Sequence, residues 1–212
     1  KTQTSDSALQ QRAINRSCQF GGTANIDEDI NILTRLGSLT FNFSGCRQAQ
    51  DVQLDGQMTL IVNAYDSFDN PIDSTLSMNN LLVTENSIQN RLTGVIHNLI
   101  NGNTETLTTN LHSLDLNDDS QYYLEDLKMV DSVTDSIAGR VYDGEHGYIR
   151  ISSSADLVIN DDGTPVQGYI YLHGANNATA RISQNTASTV IMELDEDGDG
   201  SYEHQEIIDT TG

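Results

Sequence analysis

The chain has 212 residues, with 10 Lys plus Arg against 31 Asp plus Glu, a formal net charge of −21 and 36% hydrophobic residues. This acidity repels phosphate backbones and anionic lipid surfaces, which sets nucleic acid and membrane surfaces aside as partners. No apolar run approaches the roughly 20 residues of a membrane-spanning helix, so no transmembrane segment is expected.

The start, Lys1-Thr-Gln-Thr, lacks the apolar stretch of a signal peptide. A mature secreted chain fits, and so does a cytosolic one. Residues 1–17 read as a flexible arm or a short helix, with Leu9, Ala13 and Ile14 on one face. Cys18 and Cys46 follow, each in turn-like or β-type context. A disulfide between them would close a loop of about 29 residues, worth ~3.6 kcal/mol in the chain-entropy model. Two reduced, buried thiols are the alternative. A CxxC motif is absent, which disfavours zinc and thioredoxin-like chemistry.

From there the apolar residues recur with period two, the signature of half-buried strands. Leu39, Phe41 and Phe43 alternate with polar residues, as do Leu54, Met58, Leu60 and Val62, and then Leu76 and Met78. Leu92-x-Gly94-x-Ile96 and Leu107-x-Thr109-x-Leu111 continue the pattern. Residues 117–129 read as a loop leading into a strand around Leu127 and Met129. Ile137-x-Gly139-x-Val141, Ile149 and Ile151, Leu157 and Ile159, then Val166, Ile170 and Leu172 follow, and Val190, Met192 and Leu194 close the series. Asn70-Pro71, Asn101-Gly102, Asp143-Gly144 and Asp162-Gly163 are the turn signals between them. An apolar–x–Gly–x–apolar pattern recurs at Gly56, Gly94, Gly139 and Gly168, which predicts bends or close backbone approach. Gly147-Tyr-Ile-Arg-Ile151 and Gly168-Tyr-Ile-Tyr-Leu172 echo each other, which predicts neighbouring strands of one hairpin. The predicted fold is all-β: an antiparallel, curved meander sheet, sandwich or open barrel-like, with little helix and one β domain over 18–212.

One motif carries chemistry. Asp195, Asp197 and Asp199 stand at positions 1, 3 and 5 of a twelve-residue loop, with Gly200 at 6, Ser201 at 7, Glu203 at 9 and Glu206 at 12. This is the calcium-loop pattern, in which alternating carboxylates converge on one point and the Ser201 carbonyl serves as a ligand. The flanks, Thr189–Leu194 and Ile207-Ile208, are β-type, so the expected unit is strand–calcium loop–strand, with Ca²⁺ in a structural role. A solvated acidic turn is the alternative. Asp115, Asn117 and Asp119 form a weaker echo, with Ser120 where glycine is wanted and Asp126 at position 12. Asp66, Asp69 and Asp73 read as turn residues.

No catalytic residues are assigned. The histidines (97, 112, 146, 173 and 204) share no metal-ligand spacing, and GxSxG and HExxH are absent. Asp143-Gly-Glu145-His146 is the most enzyme-like cluster, and a hairpin tip explains it. Tyr122, Tyr123, Tyr142, Tyr148, Tyr169 and Tyr171 are ordinary strand formers that also suit a binding face. The sequons at Asn15, Asn42 and Asn177 are chance matches if the source is bacterial.

Cys18…Phe43-Ser-Gly-Cys46…Leu54-Asp-Gly56, then Gly147-Tyr-Ile-Arg-Ile, Pro165-Val-Gln-Gly168-Tyr-Ile-Tyr-Leu-His-Gly174 and Asp195-Glu-Asp-Gly-Asp-Gly resemble a loose group of uncharacterised secreted proteins and lipoproteins of Gram-negative bacteria. The resemblance implies a β-rich fold and an extracellular or envelope location, and it transfers no activity. The expectation is therefore a non-enzymatic, calcium-stabilised structural or interaction protein of the bacterial surface, a subunit of an assembly that associates with itself or another surface protein. A monomeric periplasmic or outer-membrane ligand-binding module is the alternative, and a hydrolase the third.

Overall fold

The computed structural model describes residues 9–160 and 163–209. Its strands in chain order are β1 (Leu9–Ser17), β2 (Thr23–Asn31), β3 (Gly37–Arg47), β4 (Val52–Tyr65), β5 (Pro71–Glu85), β6 (Ile88–Asn101), β7 (Thr104–Asp115) and β8 (Gln121–Asp131). They continue with β9 (Ser136–Asp143), β10 (Gly147–Ser153), β11 (Val158–Ile159), β12 (Pro165–Gln167), β13 (Ile170–His173), β14 (Thr179–Thr186), β15 (Thr189–Asp195) and β16 (His204–Asp209), and a short 3₁₀ turn covers Ala175–Asn177. β1 to β10 and then β13 to β16 lie in sequence order in one antiparallel sheet that is not closed into a barrel. β11 and β12 form a separate two-stranded ladder. The all-β meander is thus as the period-two pattern requires. By proximity along the backbone the chain groups into two compact units, Lys1–Ile100 with Asn110–Tyr122 and Asn101–Thr109 with Tyr123–Gly212.

In the first unit, apolar residues line up across neighbouring strands. Ile14, Ile26, Phe41, Met58 and Met78 are successive cross-strand partners, and so are Leu39, Leu60, Leu76 and Ile96. Such rows are the unit of sheet stabilisation, because partners directly opposite share a face. Gly94 belongs to this arrangement: a Cβ there would stand 2.7 Å from the Leu111 Cα, so only glycine allows the approach. Asn70-Pro71 turns β4 into β5, with Asp66 Oδ1 accepting the Phe68 and Asn70 N–H groups at 2.8 and 2.9 Å. Asp73, expected in a turn, lies in β5, where its carboxylate accepts Asn63 Nδ2 at 2.9 Å and meets His97 Nε2 at 3.0 Å.

The segment expected as an arm or helix is a strand over Leu9–Ser17, and residues 1–8 lie outside the described residues. Asn15 and Ser17 are poor helix-interior residues, and β2 offers a full ladder from Leu9↔Asn31 to Ser17↔Thr23. Cys18 and Cys46 are disulfide-bonded with Cα atoms 5.4 Å apart. The bond ties the β1–β2 connection to the end of β3, where Phe20 and Arg47 N–H groups donate to the Arg47 and Gly21 carbonyls. Cys18, Cys46 and Ala24 are buried there with Phe43 and Leu54 packed against them.

In the second unit, β10 pairs with β9 on one side and β13 on the other, so the two echoing Gly-Tyr segments are sheet neighbours. They are not one hairpin, because β11 and β12 intervene. Leu157 is fully buried there. Its carbonyl accepts the Asp135 N–H at 2.7 Å, while Asp135 Oδ2 accepts the Ile159 N–H at 2.6 Å. Only Val158–Ile159 of the expected Leu157–Ile159 strand is laddered, and the run from Val166 breaks at Gly168. Residues 116–118 are a turn and β8 begins at Gln121. Asp162 of the expected Asp162-Gly163 turn lies outside the described residues.

Candidate metal centre

β15 and β16 form an antiparallel hairpin with pairs from Thr189↔Asp209 to Leu194↔His204. The β-branched Thr189-Val-Ile run suits β15, and Val190 is buried on it. The connection between the two strands carries the acidic loop, whose neck closes through Glu203 N–H donating to the Leu194 carbonyl at 3.0 Å.

Asp195, the last residue of β15, is only 5% exposed. Its Oδ1 accepts the Gly198 N–H at 2.7 Å and its Oδ2 the Gly200 N–H at 3.0 Å. Asp197 accepts the Asp199 N–H at 3.1 Å, and Asp199 accepts the Ser201 N–H at 2.7 Å. Glu203 reaches back across the loop to accept the Glu196 N–H at 3.1 Å. These bonds wind the loop so that one carboxylate oxygen each of Asp195, Asp197, Asp199 and Glu203 lies within 4.8 Å of the others. Gly198 (φ +76°) and Gly200 (φ +92°) take the left-handed turns this requires. Gly198 is also pressed on the 3₁₀ turn, since a Cβ there would stand 2.7 Å from Asn177 Cβ.

Four carboxylates this close repel one another unless a cation sits among them. Among the described residues none of the four is ion-paired with Lys, Arg or His: the nearby His204 meets Glu196 at 3.2 Å and Arg181 is bound to Glu193 at 2.6 Å. The donor set is all oxygen, so the cluster can hold a hard metal ion.

Glu206, expected at position 12, is not brought into this group. It stands in β16 opposite Met192. The cause is the strand on the C-terminal side of the loop. In a helix-flanked calcium loop the chain curls back, whereas here the strand resumes at His204, and the three residues from Glu203 to Glu206 span about 10 Å of extended chain. Ser201 stays in the loop with its N–H on Asp199.

The echo at Asp115, Asn117 and Asp119 is built as a turn between β7 and β8. Asp115 Oδ1 accepts both the Asn117 N–H at 2.7 Å and its side-chain amide at 2.9 Å, and the Asp115 N–H donates to the Ser120 carbonyl. Asp118 accepts the Ser120 N–H at 2.9 Å, and its bonds to Ser120 hold its carboxyl below the usual range. Asp119 has φ +61°. The Asp143–His146 cluster is a hairpin tip: Asp143 Oδ1 accepts the Glu145 and His146 N–H groups, each at 2.9 Å, and meets His146 Nδ1 at 2.9 Å.

One feature near the loop has no signal in the sequence. Arg181 of β14 lies over the Tyr202 ring at 3.9 Å and over Tyr169 at 5.1 Å, so it contacts the acidic loop from the neighbouring strand. Tyr123, Tyr142 and Tyr148 form a row with ring centres 5.9 and 5.3 Å apart, and Tyr142 and Arg140 both donate to Glu125. A recess of about 290 Å³ lies between Met129–Asp131, Asp135-Ser136 and Ile159-Asn160. No helix among the described residues is long and apolar enough to cross a membrane. Compared with known proteins, the chain matches no family model, no curated protein and no solved structure.

Proposed function

We propose that this chain is a non-enzymatic structural or interaction protein of the bacterial cell exterior, a subunit of a surface assembly, whose C-terminal hairpin is locked by Ca²⁺. The observation that carries the reading is the unneutralised Asp195, Asp197, Asp199 and Glu203 cluster at the tip of the β15–β16 hairpin. Ca²⁺ takes six to eight oxygens in flexible geometry, whereas Mg²⁺ demands a near-ideal octahedron and retains water. A loop whose carboxylates are set by short backbone hydrogen bonds, and which supplies only oxygen donors, suits the larger ion. Bound Ca²⁺ would cross-link β15 to β16 and offset two of the negative charges. The Cys18–Cys46 disulfide is consistent with an oxidising, extracellular location, where calcium is also abundant. The resemblance to secreted β-rich proteins of Gram-negative bacteria implies the same place.

Two measurements on the full chain test this. Titration calorimetry with Ca²⁺ and Mg²⁺ is expected to show one calcium site of roughly 10⁻⁴–10⁻³ M affinity that prefers Ca²⁺. Sedimentation of the calcium-loaded protein is expected to show species larger than the monomer. Lack of binding at millimolar calcium sinks the metal half of the proposal, and a strict monomer sinks the assembly half. The alternative of a monomeric ligand-binding module draws on the 290 Å³ recess beside Met129. There a small apolar ligand in extracts of the native protein would displace the first reading.

A further inference from the structure

β1 pairs on one side only, with β2, and β16 on one side only, with β15. Each therefore presents a row of backbone N–H and C=O groups that no described strand satisfies. Sheet edges that must stay single are commonly protected by proline, charged side chains or bulges. Leu-Gln-Gln-Arg-Ala-Ile-Asn-Arg-Ser and His-Gln-Glu-Ile-Ile-Asp contain no Pro or Lys and pair with their inner neighbours without a register shift, which leaves two charges on each edge as the only such protection.

The two edges differ in charge. In a chain with three acids for every base, β1 carries Arg12 and Arg16 and no acid, while β16 carries Glu206 and Asp209 and no Lys or Arg. Arg16 is exposed opposite Ala24 and makes no salt bridge among the described residues. The apolar rows also run out at these edges. The row Met78–Met58–Phe41–Ile26 ends on Ile14 of β1. On the other edge Ile208, 38% exposed, continues from the buried Val190.

We infer that β16 of one copy adds antiparallel to β1 of the next, in the register that sets Ile14 opposite Ile208 and Arg16 opposite Glu206. The juxtaposition of these four residues defines the surface, and the occupant is a second copy of this chain. Directly opposed residues share a face, so this register joins the Ile26–Ile14 row of one copy to the Ile208–Val190 row of the other and places Arg16 against an acid on the same face. A slip of one residue would send Ile208 to the opposite face. The contact is heterologous, so it links copies head to tail instead of pairing one patch with itself. Disulfide anchoring at Cys18 holds the β1–β2 connection in place, and the proposed calcium loop does the same for β15–β16. This inference rests on the assembly reading above and supplies its contact.

The test uses the full chain in calcium at physiological ionic strength, where screening shortens the reach of the net negative charge to roughly 8 Å. The variant carrying Ile14→Cys and Ile208→Cys is oxidised and run on a non-reducing gel, beside one carrying Ile14→Cys and Ile207→Cys. A covalent ladder from the first and a far weaker one from the second is expected. In sedimentation, Arg16→Glu is expected to shift multimers to monomer, and the further change Glu206→Arg to restore them. Multimers that persist in Arg16→Glu and do not cross-link through positions 14 and 208 overturn the edge pairing and leave the assembly reading standing. Monomer for the unaltered chain, with no ladder from either cysteine pair, overturns both.

Discussion

The Arg181 guanidinium lies 3.9 Å from the centre of the Tyr202 ring, next to the cluster residue Glu203. Arg181 is itself fixed by its 2.6 Å bond to Glu193 on β15, and that ion pair holds the guanidinium charged. The stack therefore couples the packing of β14 and β15 to the shape of the acidic loop. A cation–π contact of this kind is worth about 0.5–1 kcal/mol at a partly exposed site. Tyr202→Ala is expected to weaken calcium binding about two- to fivefold if that energy is lost only from the bound form. Tyr202→Phe, which keeps the ring, should bind as the unaltered protein does. Equal affinities for all three in calorimetry would show that the stack does not shape the loop.

Calcium should raise the melting temperature. At about one hundred times the dissociation constant, one bound ion stabilises by ~2.7 kcal/mol, or about 5–10 °C in a chain of this size. EDTA should remove the increment, and the Asp197→Ala, Asp199→Ala double variant should melt identically with and without calcium. Glu206→Ala should keep most of the calcium effect, since Glu206 stands in β16 away from the four clustered acids. Calorimetric scans of the three proteins decide this.

Reduction of Cys18–Cys46 should destabilise the sheet edge it anchors. Loss of a native disulfide in a small secreted domain costs about 2–5 kcal/mol. The expected signature of Cys18→Ser with Cys46→Ser is local: amide exchange accelerates most in β1, β2 and the end of β3, because Cys18, Cys46 and Ala24 are the buried centre of that region. Uniform acceleration through β15 and β16 as well would contradict the assignment.

Acidification should destabilise the fold in two stages. Burial, and then the charge of Arg150, lower the pKa of His173. The unfolded chain therefore takes up this proton first, and stability begins to fall as pH drops through the ordinary histidine range near ~6.5. The Asn70 side chain and N–H hold the Asp66 carboxyl low, and the Glu145 and His146 N–H groups do the same for Asp143. The stability these carboxylates contribute is present above the unfolded value of about 4 and is lost as pH falls through their depressed folded values. Denaturant midpoints measured from pH 8 to 3 should decline in both windows. His173→Gln should flatten the upper one, and an unchanged upper window would contradict the burial of that ring.

The sequence discloses the strands whose inward residues are all apolar. Phe41 and Phe43 or Leu60 and Val62 mark β3 and β4 without ambiguity, and Asn70-Pro71 and Asp143-Gly144 mark the turns. β2 is hidden because Glu28 stands between Ile26 and Ile30 on the same face, and β1 because Leu9, Ala13 and Ile14 also match a helical stripe. In both, the ladder with a neighbour decides, which no local pattern encodes. The acidic loop is legible at positions 1, 3, 5 and 9, whose geometry is local to the turn. Position 12 is not, because the place of Glu206 depends on whether a helix or a strand comes next. Arg181 over Tyr202 is a product of strand pairing and leaves no trace in spacing.

The order β1 to β10 and β13 to β16 pairs strands with their neighbours in the chain, apart from the β11–β12 excursion. Contacts local in sequence favour rapid folding for a β protein. The same order has a hereditary consequence. Excising or duplicating one hairpin, an adjacent pair of strands, preserves the alternation of every remaining strand and asks only one new seam to match. Adding or removing a whole hairpin would thus change the number of strands by two, while the disulfide near the first strands and the acidic loop between the last two are left intact.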